Sequence, residues 1–348
     1  MPFVEAKCTN CGAVLPVDNT KDAWICNYCQ TPFIVEKAIK NYHVTNYNNI
    51  NANTVNFYGN KESDFVIRGG VLEKYTGEST DVVIPDSAVR IEEKAFKGLP
   101  ITSVKIPDSV KEISRYAFSD CTYLKSVTIS KSVTNINNAF WGCTSLTSVT
   151  ILSGVTDISD AFHNCTSLTS VTIPNSVTTI KDAFKGCTSL KSVTIPNSVT
   201  TIKDAFKGCT SLKSITIPNS VTYIKSAFKG CTSLKSITIP NSVTYIKSAF
   251  KGCISLKSIT IPNSVTNIGG AFENCTSLKS ITISGSVKNI IEYDFEGCYN
   301  LTDIDYPYLK EFADYFPAIK ERKRKRLCIY CGGKLSLLKE CESCGIKN

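Results

Sequence analysis

Apolar and polar positions repeat every 22 residues over most of this chain. In one period, Val193 and Ile195 alternate with Ser and Thr, which predicts a short strand. A Pro-Asn-Ser sequence at 196–198 predicts a turn, residues 199–202 suit a second extended piece, and Ala205-Phe206 suits a helical turn that ends near Gly208. The apolar positions of this period are Leu190, Val193, Ile195, Val199, Ile202, Ala205, Phe206 and Cys209.

Further copies of this period predict a stacked solenoid of about ten coils. Near-identical copies begin at Leu168, Leu190, Leu212, Leu234 and Leu256. Degenerate copies extend the array outward to Ile84 on one side and to a partial coil at 304–307 on the other. One coil buries too little apolar surface to offset the entropy of ordering its backbone, so stability must come from the neighbouring coils.

These residues carry a family resemblance. The pattern Leu-x-x-Val/Ile-x-Ile-Pro-x-Ser-Val-x-x-Ile, followed by Ala-Phe-x-x-Cys, resembles the BspA-type leucine-rich repeat over about residues 80–307. The resemblance implies a curved, right-handed leucine-rich repeat solenoid of 22–23-residue coils, with a parallel sheet on its concave side. It also implies a role in binding other macromolecules, and many proteins of the family are secreted or displayed on cell surfaces.

Nine of the 17 cysteines follow the repeat. Each lies three residues after a Phe at an apolar position, and free Cys is among the most buried residue types, so we expect them to pack in the core. Disulfides between neighbouring coils are the alternative, because adjacent Cα atoms would be close enough. These cysteines are Cys121, Cys143, Cys165, Cys187, Cys209, Cys231, Cys253, Cys275 and Cys298.

The other eight cysteines form two sets of paired Cys-x-x-Cys motifs, which predict two structural zinc ions. Four thiolates close the coordination sphere and leave no open position for water, so a folding role is favoured over catalysis. An iron centre, a redox dithiol or, in a secreted protein, disulfides are the alternatives. The predicted ligands are Cys8, Cys11, Cys26 and Cys29 in the first ribbon and Cys328, Cys331, Cys341 and Cys344 in the second.

The segments between these features complete the predicted domain organisation. A zinc ribbon at 1–40, an Asn-rich linker at 41–60 and a capping hairpin around Gly69-Gly70 at 61–80 precede the array at 81–307. A capping helix and basic linker at 308–326, followed by a zinc ribbon at 327–348, complete the chain. The helix is predicted from the spacing of Leu309, Phe312, Phe316 and Ile319.

Lysines dominate the charge of the central coils. Residues 181–280 contain thirteen Lys against three acidic residues, and the whole chain carries +9. One column, which we expect to line a partner-binding surface together with Ser192 and Thr194 and their equivalents, comprises Lys191, Lys213, Lys235, Lys257 and Lys279. A second basic element comprises Arg322, Lys323, Arg324, Lys325 and Arg326. Duplication and solubility explain the columns equally well, and a solvated linker explains the basic run.

Two functions remain open at this point. The sequence lacks a phosphate-binding loop, a Gly-x-Ser-x-Gly elbow and a His-Glu-x-x-His motif, which argues against an enzyme. We favour a non-enzymatic intracellular scaffold that binds a protein partner. The alternative is a nucleic-acid-associated protein that binds phosphate groups through its ribbons, lysine columns and basic run. Residues 1–7 lack an apolar signal core, which predicts a cytoplasmic location, with the cell surface as the alternative that the family implies.

Overall fold

The coils of the array form a parallel ladder along one side, called face A. The structure is a computed structural model that describes residues 3–7, 14–18, 23–25, 32–34, 61–336 and 339–347. Face A is a six-stranded sheet and a three-stranded sheet, separated by two coils at 214 and 236 that form no regular strand, so the solenoid has about eleven coils. Its strands are Asp81–Val83, Ser103–Lys105, Ser126–Ile129, Ser148–Ile151, Ser170–Thr172, Ser192–Thr194, Ser258–Ile261, Ser280–Ile283 and Asp303–Asp305.

A second parallel ladder, called face B, runs along another side of the coils. Its register pairs each residue with its own counterpart, for example Ile202 with Ile224 and Lys203 with Lys225. Isolated bridges continue the ladder through Tyr245 to Asn267. The strands of face B within the array are Arg90–Ile91, Glu112–Ile113, Thr201–Lys203 and Tyr223–Lys225.

The third side of each coil is a turn that is also hydrogen-bonded to the next coil. The Phe206 amide donates to the Ala227 carbonyl at 2.9 Å, and the Asp204 amide donates to the Lys225 carbonyl at 2.9 Å. The turn requires left-handed backbone at Asp204 (φ 51°) and Gly208 (φ 76°), a region that Gly, Asn and Asp tolerate best. Backbone hydrogen bonds therefore join the coils on all three sides.

The core is a column of stacked Phe rings that runs the length of the array, as the repeat predicts. Phe184, Phe206, Phe228 and Phe250 are all fully buried. Their ring centroids are 5.7 Å apart in each successive pair, with the rings nearly parallel. Each ring thus packs against the same residue of the neighbouring coils.

The prediction that the repeat cysteines pack in the core is confirmed. All nine are buried free thiols. Each thiol also donates a hydrogen bond to a Phe carbonyl of the preceding coil, as Cys209 does to Phe184 at 3.1 Å. Burial raises the pKa of Cys121, Cys187 and Cys298 to about 12, so these groups are neutral thiols at ordinary pH.

A hairpin covers the first coil. Its strands, Phe65–Arg68 and Val71–Tyr75, are antiparallel and joined by Gly69-Gly70, as predicted, and a 3₁₀ turn at Glu62–Asp64 precedes them. Val71–Tyr75 joins the ladder of face B by pairing with Arg90–Ile91. The Tyr75 ring stacks on Phe96 with centroids 5.5 Å apart, so it continues the Phe column into the cap.

Two short helices cover the last coil. The Phe316 and Phe295 rings stack with their centroids 4.6 Å apart, and Leu309 and Ile319 are buried. The predicted apolar contact between the C-terminal segment and the last coil is therefore confirmed. Pro317 begins the second helix, where its missing amide hydrogen is not needed. The helical segments are Leu309–Phe312 and Pro317–Arg324, with 3₁₀ turns at Glu292–Asp294 and Ala313–Tyr315. In the described part of the chain, no helix is long and apolar enough to cross a membrane.

The N-terminal segment contributes two antiparallel strand pairs. Phe3–Lys7 pairs with Val14–Asp18, and Ala23–Ile25 pairs with Pro32–Ile34. In each pair the connection contains one Cys-x-x-Cys motif, but those four cysteines lie outside the described residues. The Asn-rich linker predicted at 41–60 also lies outside them.

We expect Phe206→Ala to lower the free energy of unfolding by about 3–5 kcal/mol, because it opens a cavity in a fully packed column. Phe206→Leu, which keeps most of the volume, should cost clearly less. Chemical denaturation gives the loss, and hydrogen exchange should place the loosened amides in the coils on either side. A loss below about 1 kcal/mol would show that this column is not the core.

Candidate functional site

The four C-terminal cysteines come together in space. Their Sγ atoms all lie within 4.8 Å of one another. The Sγ atoms of Cys331 and Cys341 are 3.4 Å apart, and those of Cys328 and Cys344 are 3.8 Å apart. A tetrahedron with metal–sulfur bonds of about 2.3 Å has sulfur–sulfur edges of ~3.8 Å, so the cluster has the dimensions of a four-thiolate metal site.

Two matching turns build this cluster. In the first, the Gly332 amide donates to the Cys328 carbonyl at 2.8 Å, and in the second the Gly345 amide donates to the Cys341 carbonyl at 2.8 Å. Both glycines adopt left-handed backbone, with φ of 78° and 69°. The Gly that follows each Cys-x-x-Cys motif therefore lets the chain fold back around the sulfurs.

Backbone amides also point at the sulfurs. Gly333 donates to the Sγ of Cys331 and Ser343 donates to the Sγ of Cys341, each at 3.4 Å. Burial raises the pKa of Cys341, but hydrogen bonds from the Cys344 and Ser343 amides and with neighbouring thiols outweigh it and lower that pKa to about 6. The Ile346 amide lowers the pKa of Cys344, but burial and hydrogen bonds with the other three sulfurs outweigh it and raise that pKa to about 12, so the amides favour the metal-binding thiolate form at Cys341 and not at every sulfur.

The cluster is attached to the C-terminal cap through Arg322. Its Nη1 donates to the carbonyls of Ile329 and Tyr330, both at 3.0 Å and both within the first Cys-x-x-Cys motif. Arg322 belongs to the helix Pro317–Arg324, which packs on the last coil through Ile319. One arginine thus joins the capping helix to the cysteine cluster.

The rest of the basic run is largely engaged within the cap rather than extended as a free linker. Lys323 pairs with Asp314 at 2.8 Å, and Arg324 and Lys325 both pair with Glu321. Hydrogen bonds from Arg324, with a smaller contribution from Lys325, lower the pKa of Glu321 to about 2. The sequence predicts a linker here because five consecutive basic residues offer no apolar position that would continue the helical pattern before them. Less of its charge is available to a nucleic acid than the sequence suggests.

From Ser126 to Thr282, the outward side chains of face A form a continuous Ser/Thr surface. Ser and Thr alternate there with buried Val or Ile, as in Ser258–Ile261. A groove of about 730 Å³ lies on this surface and extends from Ser192 to Asp305. Its polar lining includes Ser214, Thr216, Ser236 and Thr238, from the two coils where the strand pairing is interrupted, and it ends at Asp303 and Asp305.

The predicted lysine column runs beside this groove. Lys191, Lys213, Lys235, Lys257 and Lys279 are all exposed and each directly precedes a groove-lining Ser. Neighbouring members lie about 4.8 Å apart along the ladder, where two ammonium groups repel by somewhat under 1 kcal/mol in water. The groove is therefore bordered by positive charge along one edge and ends in two carboxylates.

Comparison with known proteins identifies the repeat. The sequence model of the BspA type leucine rich repeat region matches residues 74–182, 159–269 and 225–316, which together cover more than half of the chain. The chain belongs to the BspA-type leucine-rich repeat family. No curated protein matches it.

Solved structures of leucine-rich repeat proteins are similar to this BspA-type array. A leucine-rich repeat protein from Bacteroides ovatus is 30% identical, with 69% of this chain and 73% of that chain covered and a TM-score of 0.57. A T. pallidum leucine-rich repeat protein is 30% identical over 50% of this chain and 90% of its own, with a TM-score of 0.48. A leucine-rich cell surface protein from Faecalibacterium prausnitzii is 28% identical, with 70% of this chain and 92% of that chain covered and a TM-score of 0.43.

Membership in the BspA-type family gives a general class of function. Solenoids of this kind are generally non-enzymatic scaffolds, and leucine-rich repeat proteins typically bind protein partners. The extended surface that stacked repeats create suits that use. The family does not account for the C-terminal cysteine cluster, which lies outside the matched residues.

The two classes of cysteine should differ in reactivity. After treatment with a chelator at about pH 8, we expect iodoacetamide to modify Cys331, which is exposed, while Cys187 and Cys209 stay unmodified until the chain is denatured. Peptide mass spectrometry measures both. Rapid native alkylation of the repeat cysteines would contradict their burial as neutral thiols.

Proposed function

We propose that this protein is a non-enzymatic interaction scaffold that binds a protein partner in the face A groove. One observation carries the proposal: the groove is a continuous polar surface that crosses several stacked coils and is bordered by the column that begins at Lys191. Hydroxyl groups can donate and accept hydrogen bonds, and the charged margin adds selectivity for a partner of opposite charge.

Zinc is the second part of the proposal. The C-terminal cluster, with Cys328, Cys331, Cys341 and Cys344 as ligands, would hold one structural ion that stabilises the ribbon at 327–348. Its sulfur–sulfur distances and amide donors support this assignment. By sequence alone, Cys8, Cys11, Cys26 and Cys29 would hold a second ion in the ribbon at 1–40. Thiolate ligands and nine free repeat thiols favour a reducing compartment such as the cytoplasm.

A photo-crosslinking amino acid tests where the partner binds. Placed at Thr216 or Thr238 on the groove, it should crosslink a discrete partner in the native cell. Placed at Tyr123, an exposed residue in a turn between coils, it should give at most background crosslinking. Crosslinks from Tyr123 alone would move the binding surface away from face A, and crosslinks to nucleic acid would favour the alternative function.

Metal analysis tests the zinc assignment. The purified chain should contain two zinc ions, and Cys341→Ser should remove one because a three-thiolate set binds zinc far less tightly. Cys209→Ser is the matched control, since that cysteine is a buried repeat residue, and it should keep both ions. Less than one metal ion per chain, or the visible absorbance of an iron centre, would contradict the assignment.

A further inference from the structure

Face B changes its chemistry over two adjacent coils. The coil at 201–204 presents Thr201, Lys203 and Asp204, whereas the next two replace Thr by Tyr and Asp by Ser. The substituted residues are Tyr223, Ser226, Tyr245 and Ser248. We call Lys203, Tyr223, Lys225, Tyr245 and Lys247 the Tyr–Lys strip.

The two tyrosines form the centre of the strip. Tyr223 and Tyr245 are half-buried, and their rings stack with centroids 4.8 Å apart and planes 5° from parallel. Each ring therefore covers one face of the other. Within the described residues, neither phenol hydroxyl has a hydrogen-bond partner, so both can donate to a ligand.

The lysines of the strip lack acidic partners. In the described part of the chain, no carboxylate oxygen lies within 4.0 Å of Lys203, Lys225 or Lys247. In the neighbouring column of Lys185, Lys207, Lys229 and Lys251, three lysines are paired: Lys185 with Asp182 at 3.4 Å, Lys207 with Asp204 at 3.9 Å, and Lys251 with Glu273. In the two tyrosine coils, Ser occupies the position of the pairing Asp, so Lys229 has no carboxylate oxygen within 4.0 Å among the described residues, and Lys251 pairs with Glu273 of the next coil instead.

That change to serine goes against the local backbone preference. Ser226 and Ser248 both have φ of 50°, in the left-handed region where Asp and Asn are favoured over Ser. Departures from local sequence preference are expected where a surface has another role. Here the change from Asp to Ser removes a carboxylate next to the Tyr–Lys strip.

The geometry points to a binding site for an acidic, extended segment of a partner protein on the Tyr–Lys strip. This inference rests on the proposed scaffold function and adds a second surface to it. Three lysines about 4.8 Å apart span ~10 Å, which is long enough for two acidic side chains on one face of an extended segment, about 7 Å apart. The carboxylates would accept hydrogen bonds from the ammonium groups and the phenol hydroxyls. Nucleic acid is disfavoured because each tyrosine ring is half-buried and already has one face covered by the other ring, which reduces the surface on which bases could stack.

A labelled peptide of alternating Glu and Thr, titrated with the full chain and followed by fluorescence anisotropy, tests the strip. The triple variant K203Q/K225Q/K247Q should bind about tenfold more weakly than the natural chain at low salt. The control K97Q/K111Q/K131Q removes the same charge from exposed lysines of the N-terminal coils, outside both the strip and the face A margin, and should change binding by less than about twofold. Equal losses in both variants, or no binding by the natural chain, would overturn the proposal.

A second variant separates binding from folding. S226D/S248D restores the acidic residues of the preceding coils and should weaken peptide binding about as much as the lysine changes do. Because left-handed backbone tolerates Asp, its denaturation midpoint should not fall. Unchanged peptide binding in this variant would overturn the proposal, as would a single-stranded oligonucleotide that binds the natural chain more tightly than the peptide. Photo-crosslinks from Thr216 do not depend on the strip, so their persistence would leave the scaffold function intact if the strip proposal fails.

Discussion

The contact between identical residues in adjacent coils is the interaction on which this structure depends. Phe206 packs between Phe184 and Phe228, and the Cys209 thiol reaches back to the Phe184 carbonyl. The backbone follows the same rule, since Ile202 pairs with Ile224. A coil therefore has neither a complete core nor satisfied backbone groups until its neighbours are present. The caps follow from the same constraint, because Tyr75 and Phe316 supply the aromatic ring that each end of the column lacks.

The same register also determines which side chains lie next to one another on the surface. A residue that is repeated in every coil becomes a column, so hydroxyls line face A and lysines line its margin. Such columns give a broad, uniform binding surface, whereas residues that differ between coils can give a local site. The Tyr223 and Tyr245 pair is such a difference, and it occurs in the two coils where Ser replaces Asp beside the lysines.

The period of 22 residues was enough to predict the Phe column, the buried cysteines and the strand of most coils, because each has a fixed place in the repeat. The caps were predicted from separate local signals, Gly69-Gly70 for the hairpin and helical spacing of apolar residues for the C-terminal segment. Features that depend on contacts between coils were not predictable. The thiol bond from Cys209 to a carbonyl requires knowing which carbonyl the fold brings near. Likewise, the buried Asp294 accepts hydrogen bonds from the Gly270 and Ile291 amides, and burial raises its pKa. The four C-terminal cysteines could be grouped by spacing, but the role of Arg322 could not be predicted, because its partners are backbone carbonyls.

Deletion of one whole coil tests the account most directly. Removing residues 212–233 takes out 22 residues and returns every remaining residue to register with its counterpart. The shortened protein should fold cooperatively, with a lower free energy of unfolding and otherwise unchanged caps in circular dichroism and hydrogen exchange. Removing only residues 212–222, half of that length, should abolish cooperative folding of the array because no register is then possible. If both deletions disrupt the array equally, stacking of identical residues is not what holds the fold together.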